Sequence, residues 1–374
     1  MQLVIIGARN TGTSLYLISL AVRRGYSVTV LTAEHDDLGN YFEDSVKVVS
    51  LRISTENVIG WIENEFSGLL SELLITTAHD LYASVAAQVA SHFNSPGPDS
   101  VAVSFCVSKK NQIETLEKLG FRKDNSVYFY IGKNIPLSIF EQLEFPVVIK
   151  PVEGSASHGI TKCQSVDEIL THLSYLDDIY ISTPELIPNG EILVEQFVEG
   201  QEYCVEVFDG IFVGVMKKNK SAGSRFIERG YSSDIELTNQ QIDALVSMTE
   251  GVTASLKLNW GPVHIDCIIS GELIHIIEVN PRIAGSFITA IVRDAWGFDI
   301  ADALLKRLEG KDFEVLRKKE PEKFAQAVFF LNSDPESWGG PNAGQLADNT
   351  INLSYAPQII PERERRAYVY FVVG

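Results

Sequence analysis

The first part of the chain alternates short apolar runs with an amphipathic stretch. Residues 2–6 (QLVII) form an apolar run before Gly7, and an amphipathic segment extends from about Thr13 to Arg24. Residues 27–32 (SVTVLT) form a second run that is rich in β-branched side chains. Two apolar runs separated by a helical period predict a β-α-β unit, which implies a parallel sheet.

The turn from Gly7 to Gly12 in this unit has two glycines but not the G-x-G-x-x-G spacing of a dinucleotide-binding turn, and no acidic residue ends the second predicted strand. We interpret it as a structural turn or as a turn that contacts a substrate. Residues 73–80 (LLITTAHD) predict a further strand, whose end carries His79 and Asp80.

The pattern changes after the turn-rich stretch 94–100 (NSPGPDS). A helix is predicted from about residue 109, and β runs alternate with loops up to about Gly310. Strand-like runs at 325–331 and 367–374 follow, so the chain either is truncated or ends with a strand that closes a sheet. A length of 374 residues predicts two or three packed domains.

Composition and charge narrow the classes of function. Hydrophobic residues make up 45% of the chain and charged residues 21%, as in soluble globular proteins. A formal net charge of −18 argues against a nucleic-acid partner, which requires a basic surface. The N-terminus lacks the features of a secretory signal, and no apolar stretch approaches the length of a membrane span, so a cytoplasmic protein without a membrane partner is predicted.

None of the four cysteines lies at a C-x-x-C spacing. Three of them lie in apolar runs that predict strands. The prediction is therefore buried structural thiols in a reducing compartment, and not a disulfide framework or a zinc site. These cysteines are Cys106, Cys163, Cys204 and Cys267.

Residues 145–160 (FPVVIKPVEGSASHGI) predict a buried strand that ends in Lys150 and is followed by a loop containing Gly154 and Gly159. A lysine at a strand end can reach phosphate oxygens, while backbone N–H groups of a glycine-rich loop can surround them. An ordinary hairpin with an exposed lysine is the alternative interpretation.

Residues 192–208 place Glu195 and Glu202 seven positions apart, with Gly200 between them. Such a strand and turn could offer backbone groups to an adenine edge and carboxylates to the exocyclic amine and the ribose hydroxyls. A strand, a turn and a strand without a ligand is the alternative.

Residues 264–286 (HIDCIISGELIHIIEVNPRIAGS) predict two strands joined by a Ser-Gly turn. On an antiparallel pair Asp266 and Glu278 can face one another, and Asn280 lies on the same face as Glu278. Carboxylate and amide oxygens suit magnesium, and Arg282 adds a cation for a phosphoryl group or a carboxylate. Function is the favoured interpretation of this segment.

Two basic segments complete the set. Residues 108–120 begin a helix with two lysines and end it at Gly120. Residues 217–231 (KKNKSAGSRFIERGY) form a basic stretch rich in glycine and serine, predicted to be either a mobile lid over phosphates or a solvated loop.

In this order, the lysines, the E-x-x-x-x-G-x-E motif and the E-x-N-x-R motif resemble those of the ATP-grasp superfamily of carboxylate–amine ligases. The resemblance implies an α/β ATP-grasp fold after a Rossmann-like N-terminal domain. The implied domains are the N-terminal domain (1–108), the ATP-grasp domain (109–312), with an ATP-binding lobe at about 109–200 and a metal and substrate lobe at about 201–312, and a small β-rich C-terminal region (313–374).

The resemblance also implies the cofactors and their ligands. Magnesium or manganese would be held by Asp266, Glu278 and Asn280, and Arg282 would steady an acyl phosphate. Lys110 is the alternative to Lys109 as the first ATP-binding lysine. The implied contacts to ATP are Lys109, Lys150, Ser155, Ser157, Gly159, Glu195, Phe197, Val198 and Glu202.

The closest subgroup consists of amino-acid ligases that form dipeptides, the bacilysin-synthetase type. It implies an amide bond made from a small carboxylate and an amine, a homodimer, Glu228 near the substrate amino group, and substrate contacts at Tyr231, Gly285 and Ser286. Tyr231 stands where these ligases often have histidine, so the resemblance does not extend to substrate activation at that point. Ser286 stands where some have a bulky aromatic residue, so a larger substrate side chain is expected here.

Peptide-antibiotic synthesis and primary metabolism are both compatible with these residues. The competing functions are a bicarbonate-using carboxylase of the same superfamily and a non-catalytic ATP-binding protein.

Overall fold

The N-terminal part of the chain forms a four-stranded parallel sheet in the order β3-β2-β1-β4. Its strands are β1 (Gln2–Ile6), β2 (Ser27–Thr32), β3 (Val46–Ser50) and β4 (Leu73–Thr76), and its helices are α1 (Gly12–Arg23), α2 (Thr55–Glu65), α3 (Ala83–His92) and α4 (Ser100–Val107). The computed structural model describes residues 1–9, 12–33, 42, 45–68, 70–122, 126–131, 137–140, 143–153, 159–182, 187–220, 226, 228–331 and 365–373.

Alternate residues of β1 enter two different cores. Leu3 and Ile5 cluster with Leu17 of α1, whereas Val4 and Ile6 cluster with residues of α2 and α3. Both faces of a parallel sheet are covered, and this is why the strand is a continuous apolar run. The predicted β-α-β unit and its parallel pairing are confirmed.

A small antiparallel sheet follows in the order β5-β8-β6-β7. Its core contains the inward-facing residues Val147, Ile149 and Val194, which cluster with Ile169 and Leu173 of one helix. The strands are β5 (Val127–Tyr130), β6 (Val147–Pro151), β7 (Thr161–Cys163) and β8 (Glu191–Gln196); helix α5 (Lys109–Lys118) precedes them, and helix α6 (Val166–Ser182) lies between β7 and β8.

The largest element is a seven-stranded antiparallel sheet in the order β13-β12-β9-β10-β11-β14-β15. Its last strand in the chain lies at one edge of this sheet and pairs with β14. The strands are β9 (Gln201–Phe208), β10 (Ile211–Lys220), β11 (Glu228–Ser232), β12 (Pro262–Ser270), β13 (Leu273–Asn280), β14 (Phe324–Leu331) and β15 (Arg365–Val373), and the helices are α7 (Asn239–Ser255), α8 (Ile288–Ile291) and α9 (Ile300–Leu308).

The structure bears on two predictions from composition. All four cysteines are buried and unpaired, as predicted. None of the described helices has both the length and the apolar content that a bilayer crossing requires. The domain boundaries stay predictions.

A buried trio of charged side chains joins the small sheet to the large one. Glu195 of β8 accepts from Lys150 of β6 and from Arg122, each at 2.5 Å. The Arg122 guanidinium also donates to the carbonyl of Ile276 in β13 at 3.0 Å. Burial alone would raise the pKa of Glu195, but Lys150 and Arg122 lower it to about 2. Glu195 therefore stays ionised and balances two cations whose side chains are almost completely buried.

The turn that ends at Gly12 contacts the loop that follows β13 of the large sheet. The backbone N–H of Thr13 donates to the carbonyl of Ser286 at 2.8 Å, and the hydroxyls of Thr13 and Thr289 are 2.7 Å apart. Gly12 has φ +53, and a Cβ atom there would lie 2.1 Å from the Ser286 carbonyl oxygen. The predicted turn thus has a structural role, because only glycine allows this approach.

We expect Gly12→Ala to destabilise the protein more than Gly25→Ala does. Gly25 also has positive φ (+82), but a Cβ there would meet no atom of the described residues within 4 Å. The control should cost about 1 kcal/mol of unfolding free energy from backbone strain, and Gly12→Ala about 1–3 kcal/mol more from the clash with Ser286. Urea unfolding measures both; equal losses would contradict the contact.

We expect Glu195→Gln to lower the free energy of unfolding by roughly 3–5 kcal/mol at pH 7, because it leaves two buried cations uncompensated. The control Glu191→Gln removes a partly exposed pair with Lys110 (3.2 Å) and should cost at most about 1 kcal/mol.

The pH dependence of this difference follows from the lowered pKa of Glu195. Its ordinary value is 4.5, so its stabilising contribution is fully present above that pH and is lost as the pH falls towards 2. The difference in free energy of unfolding between wild type and Glu195→Gln, measured with urea, should therefore become smaller below about pH 4.5. If this difference stayed constant until acid itself unfolds the protein, an ionised Glu195 would be contradicted.

Candidate functional site

The small sheet and the large sheet enclose a pocket lined on opposite sides by β6 and β8 and by β9, β10, β12 and β13. Its apolar lining includes Val148, Ile160, Phe197, Phe226, Ile268 and Ile277. Its polar lining consists of Lys109, Lys150, Glu195, Gln196, Glu202, Lys218, Lys220, Asp266, His275 and Glu278.

Most of the residues predicted to bind ATP or metal lie in this pocket. Gly159 directly precedes Ile160 of its lining, whereas Ser155 and Ser157 lie outside the described residues. Lys110 pairs with Glu191 at 3.2 Å and does not line the pocket, so the structure favours Lys109 over Lys110. The predicted residues that line the pocket are Lys109, Lys150, Glu195, Phe197, Val198, Glu202, Asp266 and Glu278.

The predicted metal ligands face each other as expected. Asp266 and Glu278 are cross-strand partners in β12 and β13, and Asn280 is the partner of His264. The Asn280 amide donates to Glu278 Oε1 at 3.1 Å, and Lys109 Nζ is 3.4 Å from Glu278 Oε2. Burial would raise the pKa of Glu278, but Lys109 and the Asn280 hydrogen bond hold it below its ordinary value. These hard oxygen donors fit magnesium or manganese.

Lys218 lies at the centre of a network of carboxylates. Its Nζ is 2.9 Å from Glu202, 3.0 Å from Asp266 and 3.5 Å from Glu228. Burial would lower the pKa of Lys218, but these carboxylates raise it well above its ordinary value. Glu202 also forms an ion pair with Lys220. Each described pocket carboxylate therefore has a cationic partner.

The prediction that residues 217–231 form a lid or a solvated loop is wrong at both ends. Residues 217–220 belong to β10 and residues 228–232 to β11, while 221–225 and 227 lie outside the described residues. Alternation along β10 turns Lys218 and Lys220 into the pocket. The period-two continuation of the strand IFVGVM into KKNK was the signal that could have identified these two lysines.

Sequence analysis also missed Arg122 and His275. Arg122 follows Gly120 in a stretch without a recognisable motif, and its partners come from two distant strands. Burial and the nearby Arg122 lower the pKa of His275 to about 4, so this pocket histidine is uncharged at neutral pH. No local sequence pattern identifies either residue.

The predicted catalytic and substrate residues lie outside the lining of this pocket. Arg282 is largely buried, forms an ion pair with Asp80 of the N-terminal domain and donates to the Ile283 carbonyl at 3.0 Å. Burial would raise the pKa of Asp80, but Arg282 lowers it below its ordinary value. The structure thus brings Asp80, at the end of a predicted strand, to the predicted catalytic arginine.

Glu228 and Tyr231 form a connected pair at β11. The Tyr231 hydroxyl donates to Glu228 Oε2 at 2.7 Å, and the Tyr231 ring is buried against Phe329. Ser286 has φ +54, and its carbonyl accepts from Thr13. Gly285 lies beside it and is partly buried. Glu228 and Tyr231 thus belong to the large sheet, Ser286 contacts the N-terminal part of the chain through Thr13, and none of the four residues lines the pocket.

Known proteins are similar to this chain in sequence and in fold. A family model described as an ATP-grasp domain matches residues 143–290. The chain is 25% identical over 334 residues to the uncharacterized protein y4rH of Sinorhizobium fredii, covering 88% of this chain and 68% of that protein. It is 28% identical to the D-alanine–D-alanine ligase of Anaplasma marginale, covering 52% of this chain and 49% of the ligase.

A solved structure extends the similarity to nearly the whole chain. The L-amino acid ligase from Bacillus licheniformis superimposes with a TM-score of 0.78 at 18% identity, covering 99% of this chain and 93% of that one. At this identity the similarity establishes the fold. Residues 143–290 are thus similar to an ATP-grasp domain, and the chain as a whole has the α/β ATP-grasp fold.

Proposed function

We propose that this protein is an ATP-dependent carboxylate–amine ligase that joins two amino acids through an acyl phosphate and releases ADP and phosphate. The observation that carries the proposal is the convergence of Lys109 and Lys150 with the facing carboxylates Asp266 and Glu278 in one pocket. Arg282 lies two residues beyond the end of β13. The similarity to an L-amino acid ligase supports the choice of amino acids as substrates.

The pocket supplies groups for each part of ATP. Its apolar lining, which includes Phe197 and Ile277, would hold the adenine ring, and Glu202 would accept from the ribose hydroxyls. Lys109 and Lys150 would bind phosphate oxygens. Because Glu195 already pairs with Lys150 and Arg122, we propose that it positions Lys150 as well as lying on the adenine side of the pocket.

Asp266, Glu278 and Asn280 would hold the divalent cation. Magnesium, when bound, neutralises negative charge that develops on a transferred phosphoryl group. The cationic side chains of Lys218 and Lys109 keep Asp266 and Glu278 ionised and so ready to act as ligands.

Activation and amide formation would take place on the side of Arg282. A carboxylate becomes a good electrophile once it carries a phosphoryl group, and a bound amine then attacks its carbonyl carbon. Arg282 would stabilise the resulting oxyanion, and preorganised donors of this kind contribute about 3–4 kcal/mol each. Glu228, held by Tyr231, would receive the substrate ammonium group, and Gly285 and Ser286 would border the substrate side chain.

The test is magnesium-dependent release of ADP and phosphate with amino acids, singly and in pairs, and with bicarbonate. Release that requires a particular pair, with a condensed product seen by mass spectrometry, would establish the proposal. Release with bicarbonate alone would instead establish the carboxylase-type function. Release in neither case would contradict a catalytic role. The homodimer, the cytoplasmic location and an antibiotic product stay predictions.

We expect Glu278→Gln to reduce turnover by at least about 100-fold while the folded state persists, because the side chain loses the charge that binds the cation but keeps its shape. Glu272→Gln is the matched control, since Glu272 lies exposed at the turn of the same hairpin. Phosphate release and thermal unfolding measure the two effects. Near-normal release by Glu278→Gln would refute the metal assignment.

We expect Lys109→Met to lower kcat/KM for ATP by about 10–100-fold, the range for loss of a charge-assisted hydrogen bond. Lys110→Met should change it less than about threefold, because Lys110 makes a partly exposed ion pair away from the pocket. Initial rates at varied ATP concentration distinguish the two lysines. A larger effect of Lys110→Met would reverse the assignment.

A further inference from the structure

A cysteine and a histidine lie beside Asp266 on one face of the large sheet. Asp266 is the cross-strand partner of Cys204, and His264 is the partner of Glu206. Residues two positions apart in a strand share a face, so the four side chains lie together. Cys204 and Glu206 are 0% exposed, His264 4% and Asp266 6%.

Two of the three distances between the potential ligand atoms match those of a tetrahedral zinc site. Asp266 Oδ1 lies 3.3 Å from Cys204 Sγ and 3.4 Å from His264 Nε2, and all three atoms lie within 4.8 Å of one another. A tetrahedral zinc ion with bonds of 2.0–2.3 Å places its ligand atoms about 3.3–3.7 Å apart. Two edges of such a tetrahedron are therefore already formed.

Glu206 orients the histidine ring for this role. His264 Nδ1 and Glu206 Oε1 are 2.6 Å apart, so the ring presents Nε2 to Asp266. A carboxylate behind a histidine is the usual outer partner in zinc sites. Within the described parts of the chain, the second oxygen of Glu206, Oε2, is buried and has no hydrogen-bond partner, so its charge is available to compensate a cation.

The donor set distinguishes this site from the magnesium site. Magnesium selects oxygen ligands in octahedral geometry, whereas a thiolate and an imidazole favour zinc. Asp266 belongs to both sets. Its Oδ1 faces Cys204 and His264, while its Oδ2 is 3.0 Å from Lys218.

We propose that Cys204, His264 and Asp266 form a binding site for a divalent cation of the zinc class, and that zinc bound there withdraws Asp266 from magnesium. Binding replaces the thiol proton of Cys204 and the Nε2 proton of the protonated His264 ring, and both protons leave to solvent. Zinc binding is independent of the proposed function. Inhibition by zinc rests on it.

The binding test uses the untagged full chain, stripped of metal and titrated with zinc against a chromophoric chelator. We expect one zinc ion per chain, and affinity at least about tenfold weaker in Cys204→Ala, which removes one of three ligands. Cys267→Ala is the matched control and should bind as wild type does. Cys267 is equally buried and follows Asp266 in β12, so it points to the opposite face.

A second variant keeps the test decisive if Cys204→Ala folds poorly. Glu206→Gln preserves the shape of the side chain but weakens its hold on the His264 ring, and should weaken zinc binding about 10–100-fold. Circular dichroism establishes that each variant is folded. Sub-stoichiometric zinc in wild type, or unchanged affinity in both variants, would overturn the site.

The activity test separates the two proposals. Zinc should inhibit magnesium-dependent turnover of wild type and Cys267→Ala over the range in which the site fills, and a chelator should restore it. Stoichiometric zinc binding without turnover on any substrate would support the metal site and contradict the proposed ligase. Turnover that continues with the zinc site full would overturn the inhibitory part of the inference.

Discussion

The buried trio of Arg122, Glu195 and Lys150 is the interaction on which the pocket between the small and the large sheet depends. It connects β6 and β8 of the small sheet to β13 of the large one, so the same contacts set the separation of the two walls. A buried charge requires a partner, and here one carboxylate serves two cations. Lys150 is consequently held at a defined place in the pocket before any ligand binds.

The other charged side chains of the pocket are also paired with groups of opposite charge. Lys218 pairs with Glu202 and Asp266, and Lys109 with Glu278, so opposite charges neutralise each other in a chain whose formal net charge is −18. Under the proposed function, phosphate oxygens would replace the carboxylates as partners of the lysines, and a divalent cation would replace the lysines as the partner of the carboxylates. Binding then exchanges ionic partners and leaves no buried charge uncompensated.

The N-terminal part of the chain contacts the segment that carries Arg282, the predicted catalytic residue. Gly12 and Thr13 pack on the Ser286 backbone, and Asp80 pairs with Arg282. The loop that carries the predicted catalytic arginine is thus supported from a second domain. A structural change in the loops of the parallel sheet would therefore alter the position of Arg282 through direct contacts. The pocket between the small and the large sheet would not be involved.

Local sequence determined the β-α-β start, the hairpin that places Asp266 opposite Glu278, and the lysine at the end of β6, because periodicity and short motifs act between neighbours in the chain. Tertiary structure decided what depends on distant partners. Arg122 has no motif, Lys218 and Lys220 belong to a charge run that resembles a solvated loop, and the cysteine that sequence spacing assigned only a structural role lies beside His264 and Asp266 about 60 residues away. For the two lysines the strand period was a local signal, whereas the partners of Arg122 and of Cys204 come from strands that are distant in sequence, and no local pattern predicts such contacts.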